Sequence, residues 1–140
     1  MNPAEEKCVM VADEALPTGV LANTAAILGI TLGARYPEVV GPDVTDASGV
    51  THPGITTFPV PILKSDAEGL RALRQRLKDP AFQEVFTADF SDVAQSCQVY
   101  DEYEAKAART PEDGHSYLAL LLCGPKKQVN KLTGSLPLLR

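Results

Sequence analysis

Apolar positions in this chain gather into two short unbroken runs, and the stretches between them carry a three- and four-residue rhythm. Lys7-Cys8-Val9-Met10-Val11-Ala12-Asp13 is the first run, and it ends at Asp13-Glu14. That is the pattern of a central strand covered on both faces. The second run, Tyr117-Leu118-Ala119-Leu120-Leu121-Leu122 within Ser116 to Cys123, is the most apolar stretch of the chain, and its brevity predicts a second central strand. After the first run, Leu16-Pro17-Thr18-Gly19 supplies a rigid φ at Pro17 and a capping oxygen at Thr18. Val20, Leu21, Thr24, Ile27, Leu28, Thr31 and Leu32 then recur at helical steps, while Ala22, Ala25, Ala26, Gly29 and Gly33 keep the remaining face small. No charge falls between Val20 and Ala34, so this helix is expected to be buried on several sides.

The next stretch, Glu38 to Gly54, is broken by Gly41-Pro42, Gly49 and Pro53-Gly54. Inside it Val44-Thr45 and Val50-Thr51 flank Asp46-Ala47-Ser48-Gly49, which predicts a small projecting hairpin. Ile55 to Leu63 reads as a strand, with Thr57 to Leu63 at a sheet edge because Pro59 and Pro61 cannot donate to a ladder. Ser65-Asp66-Ala67-Glu68 opens a helix whose buried stripe is Leu70, Leu73 and Leu77. Its outer face carries Arg71, Arg74 and Lys78, either a solvated basic face or one that contacts phosphate. Gln83 to Phe90 is a third strand, followed by a helix from Val93 to Arg109 that Thr110-Pro111-Glu112-Asp113-Gly114 stops. Lys126 to Thr133 is the last helix, opened by Gly124-Pro125 and ended by Gly134, and Leu136-Pro137-Leu138-Leu139 packs back on the body. Strands alternating with helices imply an α/β sandwich with a mostly parallel sheet, formed by one domain over residues 1–140.

Composition narrows the function classes. A hydrophobic share of 44% and a charged share of 22% are those of an ordinary globular protein, with no tract long enough to span a bilayer. The start, Met1-Asn2-Pro3-Ala4-Glu5-Glu6, lacks the basic and apolar segments of an export signal, which points to the cytoplasm. Three cysteines, an odd number, fit reduced thiols in that compartment. A net charge of −5 argues against a nucleic-acid partner.

Three segments carry a family resemblance. They are Leu16-Pro17-Thr18-Gly19-Val20-Leu21-Ala22-Asn23-Thr24-Ala25-Ala26, then Asp89-Phe90-Ser91-Asp92-Val93-Ala94-Gln95-Ser96-Cys97, and the ending that runs from Gly124-Pro125-Lys126-Lys127 through Lys131-Leu132-Thr133-Gly134-Ser135-Leu136-Pro137-Leu138. Together they resemble the bacterial family known as domain of unknown function 2000, over nearly the whole chain. That family is similar in fold to peptidyl-tRNA hydrolase 2. The resemblance implies a three-layer α/β/α sandwich with a four-stranded mixed, mostly parallel sheet, a small hairpin excursion, principal strands in the order 2-1-4-3, and a homodimer. It also implies where the hydrolase's polar residues would fall. The lysine falls on Val20 and the histidine near Ile27, neither able to carry a proton, Asp89 matches the aspartate, and the threonine falls near Val93. Peptidyl-tRNA hydrolase activity is therefore not expected.

In open α/β sheets ligands gather beyond the carboxyl ends of the strands. The polar residues expected there are Asp13 and Glu14 with Thr18, Gly19 and Asn23, then Asp89, Ser91, Asp92, Gln95 and Ser96, and finally Thr133 with Ser135. Thr18 and Ser91 serve equally as helix caps. Asn23 stands out as an amide in an uncharged helix, which needs a partner if buried, and is expected to face Asp89 across the cleft. Asp89 is the candidate general base or ligand-orienting acceptor. Cys8 and Cys123 read as core residues, and carboxylates near Cys97 argue against a nucleophile there. His52 and His115 form no spaced ligand pair, so neither metal nor cofactor is indicated. Three functions remain open: binding of a small molecule beside Asp13, Asn23 and Asp89, hydrolysis of an aminoacyl or peptidyl ester through Asp89 and a water, or an interaction module using the hairpin from Pro42 to Pro53.

Overall fold

A computed structural model describes residues 1–140. The first apolar run forms β1 (Glu6–Asp13) and the last forms β6 (Tyr117–Pro125), and these two pair antiparallel at the centre of a four-stranded sheet with Cys8 opposite Cys123 and Ala12 opposite Ala119. Strand β4 (Ile62–Ser65) runs parallel to β1 at one edge, and β5 (Phe86–Ser91) runs antiparallel to β6 at the other. The order is β4-β1-β6-β5, which is second, first, fourth and third among the principal strands.

The sheet is mixed, with one parallel and two antiparallel pairs, so the expectation of a mostly parallel sheet is corrected. The cause lies in β6. Helices α1 (Thr18–Arg35) and α2 (Ala67–Arg76) each return the chain, so β1, β4 and β5 all point the same way. No return follows β5. Strand β6 starts at the end where β5 stopped and inserts between β5 and β1, making both of its pairings antiparallel.

Alternation along the two central strands divides the core. Val9, Val11, Leu120 and Leu122 pack with Leu70 and Leu73 of α2 and with Val129 and Leu132 of α5 (Lys126–Thr133). Cys8, Met10, Ala12, Ala119, Leu121 and Cys123 pack with Leu28 and Leu32 of α1. Each fully buried leucine in such a cluster contributes about 1.5–3 kcal/mol relative to exposure.

Helix α1 differs from its expected burial. Only Thr24, Leu28 and Leu32 are buried, and Ile30 is 73% exposed, so an uncharged outer face meets solvent. The polar residue held inside is Thr24, whose hydroxyl donates to Val20 O at 2.8 Å. Thr18 lies within the helix after Pro17 and makes no capping bond.

The proline segment is shifted as well. Pro59 and Pro61 precede β4 rather than lying in it, and Pro61 offers only its carbonyl, which accepts from Met10 N at 2.9 Å. The edge location itself holds. The hairpin pairs β2 (Val44–Thr45) with β3 (Thr51–His52), one residue beyond the expected register. Asp46 sets that register by accepting from Ser48 N, Val50 N and the His52 ring, while Gly49 takes the positive φ of 81° that the turn requires.

Candidate functional site

The expected helix from Val93 to Arg109 is two pieces, α3 (Asp92–Gln95) and α4 (Tyr100–Ala108). At the break Ser96 Oγ donates to Val93 O at 2.9 Å and Cys97 Sγ donates to the same carbonyl at 3.3 Å. Val99 is extended, and Gln98 N is taken by Glu102 Oε2 at 3.2 Å, so a new helix starts in a new direction. Lys106 Nζ reaches back to Ser96 Oγ at 2.6 Å and ties α4 to the break.

The two pieces cover the outer side of β5 without filling it. A cavity of about 380 Å³ remains, within the range of small-molecule sites. Ile27 and Thr31, one turn apart on α1, form one wall, and Ala88, Asp89 and Phe90 of β5 form the floor. Ala94, Cys97, Gln98 and Val99 line the break, and Tyr100 and Tyr103 close the far side with their rings edge to face at 5.6 Å.

Asp89 is the one charged residue in this lining. Along β5, Ala88 and Phe90 turn toward α1, so Asp89 turns to the other face, where Arg74 of α2 meets it. The carboxylate is 31% exposed, and Arg74 Nε stands 4.0 Å from its Oδ2, an ion pair too long for a hydrogen bond. Arg74 Nε is itself buried without an acceptor. Burial raises the Tyr103 hydroxyl pKa, and the Asp89 charge raises it further. Tyr117 is raised by burial and then by Asp89, with Arg74 opposing.

Most other residues expected at the site lie elsewhere. Ser91 is buried and makes no capping bond, and its hydroxyl is 3.0 Å from His115 Nδ1, whose ring stacks on Tyr117. Sealed in that way, it cannot meet a substrate. Asp92 Oδ1 holds Ser116 N at 2.9 Å, and Asp13 Oδ1 holds Ala15 N at 2.9 Å in the turn before α1. Thr18, Gly19, Asn23, Gln95 and Ser96 are exposed and outside the lining. Asn23 sits one turn before Ile27 on the same stripe of α1, and the structure does not bring it to Asp89. Thr133 is buried and donates to Val129 O at 2.7 Å. The basic face of α2 is used internally: Arg71 donates to the carbonyls of Asp113 and His115, and Lys78 pairs with Glu112, whose carboxyl is held below its ordinary range by that contact.

The residues missed were Ile27, Thr31, Gln98, Val99, Tyr100 and Tyr103. Spacings of four at Ile27 and Thr31 and of three at Tyr100 and Tyr103 were visible, but the same spacings describe any core-facing helix. No group of three His, Cys, Asp or Glu residues gathers to hold a metal ion, and no helix is long and apolar enough to cross a membrane.

Comparison with known families adds one assignment. A family described as "Protein of unknown function (DUF2000)" matches residues 6–140. The chain belongs to this family. Its fold is also that of a solved structure, the protein of unknown function Atu0240 from Agrobacterium tumefaciens strain C58, at a TM-score of 0.85 and 19% identity, covering 96% of this chain and 97% of that one. At that identity the likeness shows the fold alone. Among curated proteins none matches this chain.

Proposed function

We propose that this DUF2000 protein binds a small organic molecule in the cavity between α1, β5 and α4. The observation that carries this reading is a mostly apolar cavity of about 380 Å³, walled by Ile27, Phe90, Val99, Tyr100 and Tyr103. The fold reading that accompanies it is a three-layer α/β/α sandwich of the peptidyl-tRNA hydrolase 2 type, supported by α1 on one side of the sheet and α2 with α5 on the other. Hydrolysis of peptidyl-tRNA is not part of the proposal, because the positions matching the hydrolase's basic residues are Val20 and Ile27, and Ile27 is an apolar wall of the cavity. Three free thiols accord with a cytoplasmic address.

Cys97 makes the reading testable, since Cys8 and Cys123 are buried and Cys97 lines the cavity. A metabolite panel should contain compounds that both raise the melting temperature and slow alkylation of Cys97 by iodoacetamide, and Thr31→Trp, which fills the cavity, should remove both effects. A panel with no such compound counts against the reading.

A second reading is an interaction module. Residues 42–53 are exposed throughout, with Val44 at 60% and Val50 at 54%, and an apolar protrusion of this kind suits a protein partner, including a second copy in a homodimer. Sedimentation of the wild type against a Val44→Ser, Val50→Ser variant tests self-association, and a monomer in both cases removes the homodimer.

A further inference from the structure

We infer that Met1, Cys8 and Cys123 form a three-sulfur site for a soft monovalent metal ion, Cu(I). Cys8 and Cys123 face each other on the two central strands, and both pack on the α1 side of the sheet. Directly opposed residues of an antiparallel pair hold their Cβ atoms about 4.5–5.5 Å apart, so the two thiols are neighbours without any movement of the backbone. Met1 folds back over them: its side chain is 1% exposed and its Sδ lies 3.5 Å from Cys8 Sγ. Both cysteines are free thiols. A hydrogen bond between them lowers the Cys8 pKa and, together with burial, raises that of Cys123, so one member of the pair gives up its proton more readily than an isolated buried thiol would.

The donor set selects the metal. Thiolate and thioether sulfurs are soft ligands and suit Cu(I). Structural Zn(II) takes four ligands in a tetrahedron and iron–sulfur clusters take four cysteines, whereas three sulfurs meet here. Sulfurs held on one metal at about 2.3 Å stand roughly 4 Å apart in a trigonal plane. The present Met1–Cys8 spacing of 3.5 Å is close to that, and the flexible methionine supplies the small adjustment. Access is short. A cavity of about 400 Å³ lined by Pro3, Cys8, Phe58 and Pro59 opens beside the cluster, and the Met1 ammonium is tied down by an exposed ion pair with Glu38 at 2.8 Å, a contact that water readily replaces. Binding releases the two thiol protons to solvent and leaves copper as Cu(I), so no oxidant or reductant is consumed. None of the three residues lines the cavity beside β5, and the inference is independent of the small-molecule reading.

The test is anaerobic titration of the full-length protein with Cu(I) in competition with bathocuproine disulfonate, after iodoacetamide has capped the accessible Cys97. One Cu(I) per chain is expected, and an equal concentration of Zn(II) should not displace it. Cys8→Ala and Cys123→Ala should each weaken Cu(I) by at least about a hundredfold, since loss of groups outside the ligand shell already costs 10–100-fold. Copper X-ray absorption of the capped wild type should show a shell of sulfur alone, which keeps the test decisive if either alanine variant fails to fold. In selenomethionine-labelled Met10→Leu protein, where Met1 carries the one selenium, that shell should include a selenium neighbour. No retained Cu(I), a shell of nitrogen or oxygen, a shell without selenium, or displacement by Zn(II) would each overturn the site.

Discussion

At the β4 edge of the sheet the last stretch of chain supplies backbone partners, whereas at the β5 edge side chains and short helices lie over the strand instead. Lys64 N donates to Pro137 O and Leu139 N to Ile62 O, each at 2.9 Å, with Leu63 bridged to Leu138. Before β4 the chain carries Pro59 and Pro61, which further limit pairing there. Around β5 the covering elements are α3 and α4, separated by the Ser96 to Val99 break. Backbone pairing sets neighbouring strands about 4.7–4.9 Å apart and leaves no space. Helices of four and nine residues meeting at an angle cannot follow a strand so closely, and the mismatch is the cavity. An edge finished by hydrogen bonds is therefore a closed surface, and an edge finished by packing can be a site.

Three experiments would break or sharpen this contrast. The largest effect is expected at Phe90, a buried ring on β5 that packs with the α1 core and also forms the cavity floor. Phe90→Ala should cost about 3 kcal/mol in urea unfolding, near the low end for such truncations, because the adjoining cavity already relieves part of the packing. A loss of 5 kcal/mol or more would mean that this edge is as tightly packed as the centre.

Removing residues 136–140 comes next. It strips β4 of two backbone hydrogen bonds and of the packing of Leu136, and should cost about 2 kcal/mol. The exposed edge should also self-associate at high concentration, seen by light scattering. An unchanged midpoint with no association would show that the tail does not close that edge.

The smallest effect is expected for Asp89→Asn. Its carboxylate accepts no protein hydrogen bond and its ion pair with Arg74 is long and partly exposed, so the stability change should stay within about 1 kcal/mol. A loss of several kcal/mol would make Asp89 a structural residue and weaken its place in a binding site.

Much of the framework was legible in the chain. The apolar runs ending at Asp13 and Cys123 placed the two central strands, because only a strand covered on both faces tolerates so little polarity. The bounds of α5 followed from Pro125 and Gly134, and the edge position of β4 from Pro59 and Pro61. The strand directions did not follow, since alternation of helices and strands says nothing about where a final strand inserts. Uncharged sequence from Val20 to Ala34 predicts burial on several sides, yet one face of α1 is open. Absence of charge permits burial without requiring it.

The candidate site was the least legible part. Of the residues singled out, Asp89 lines the cavity, while Asp13, Thr18, Gly19, Asn23, Ser91, Gln95 and Ser96 do not. Polar residues near strand ends were a reasonable guide to where ligands gather, but Ser91 and Asp13 are engaged with neighbours of their own. By itself the sequence determined which segments must be buried and with what period, because burial of apolar surface is a property each residue brings with it. Only the tertiary structure decided that Ile27, Asp89 and Tyr103 share one space. That space exists where three elements fail to pack completely, and incomplete packing belongs to no single residue.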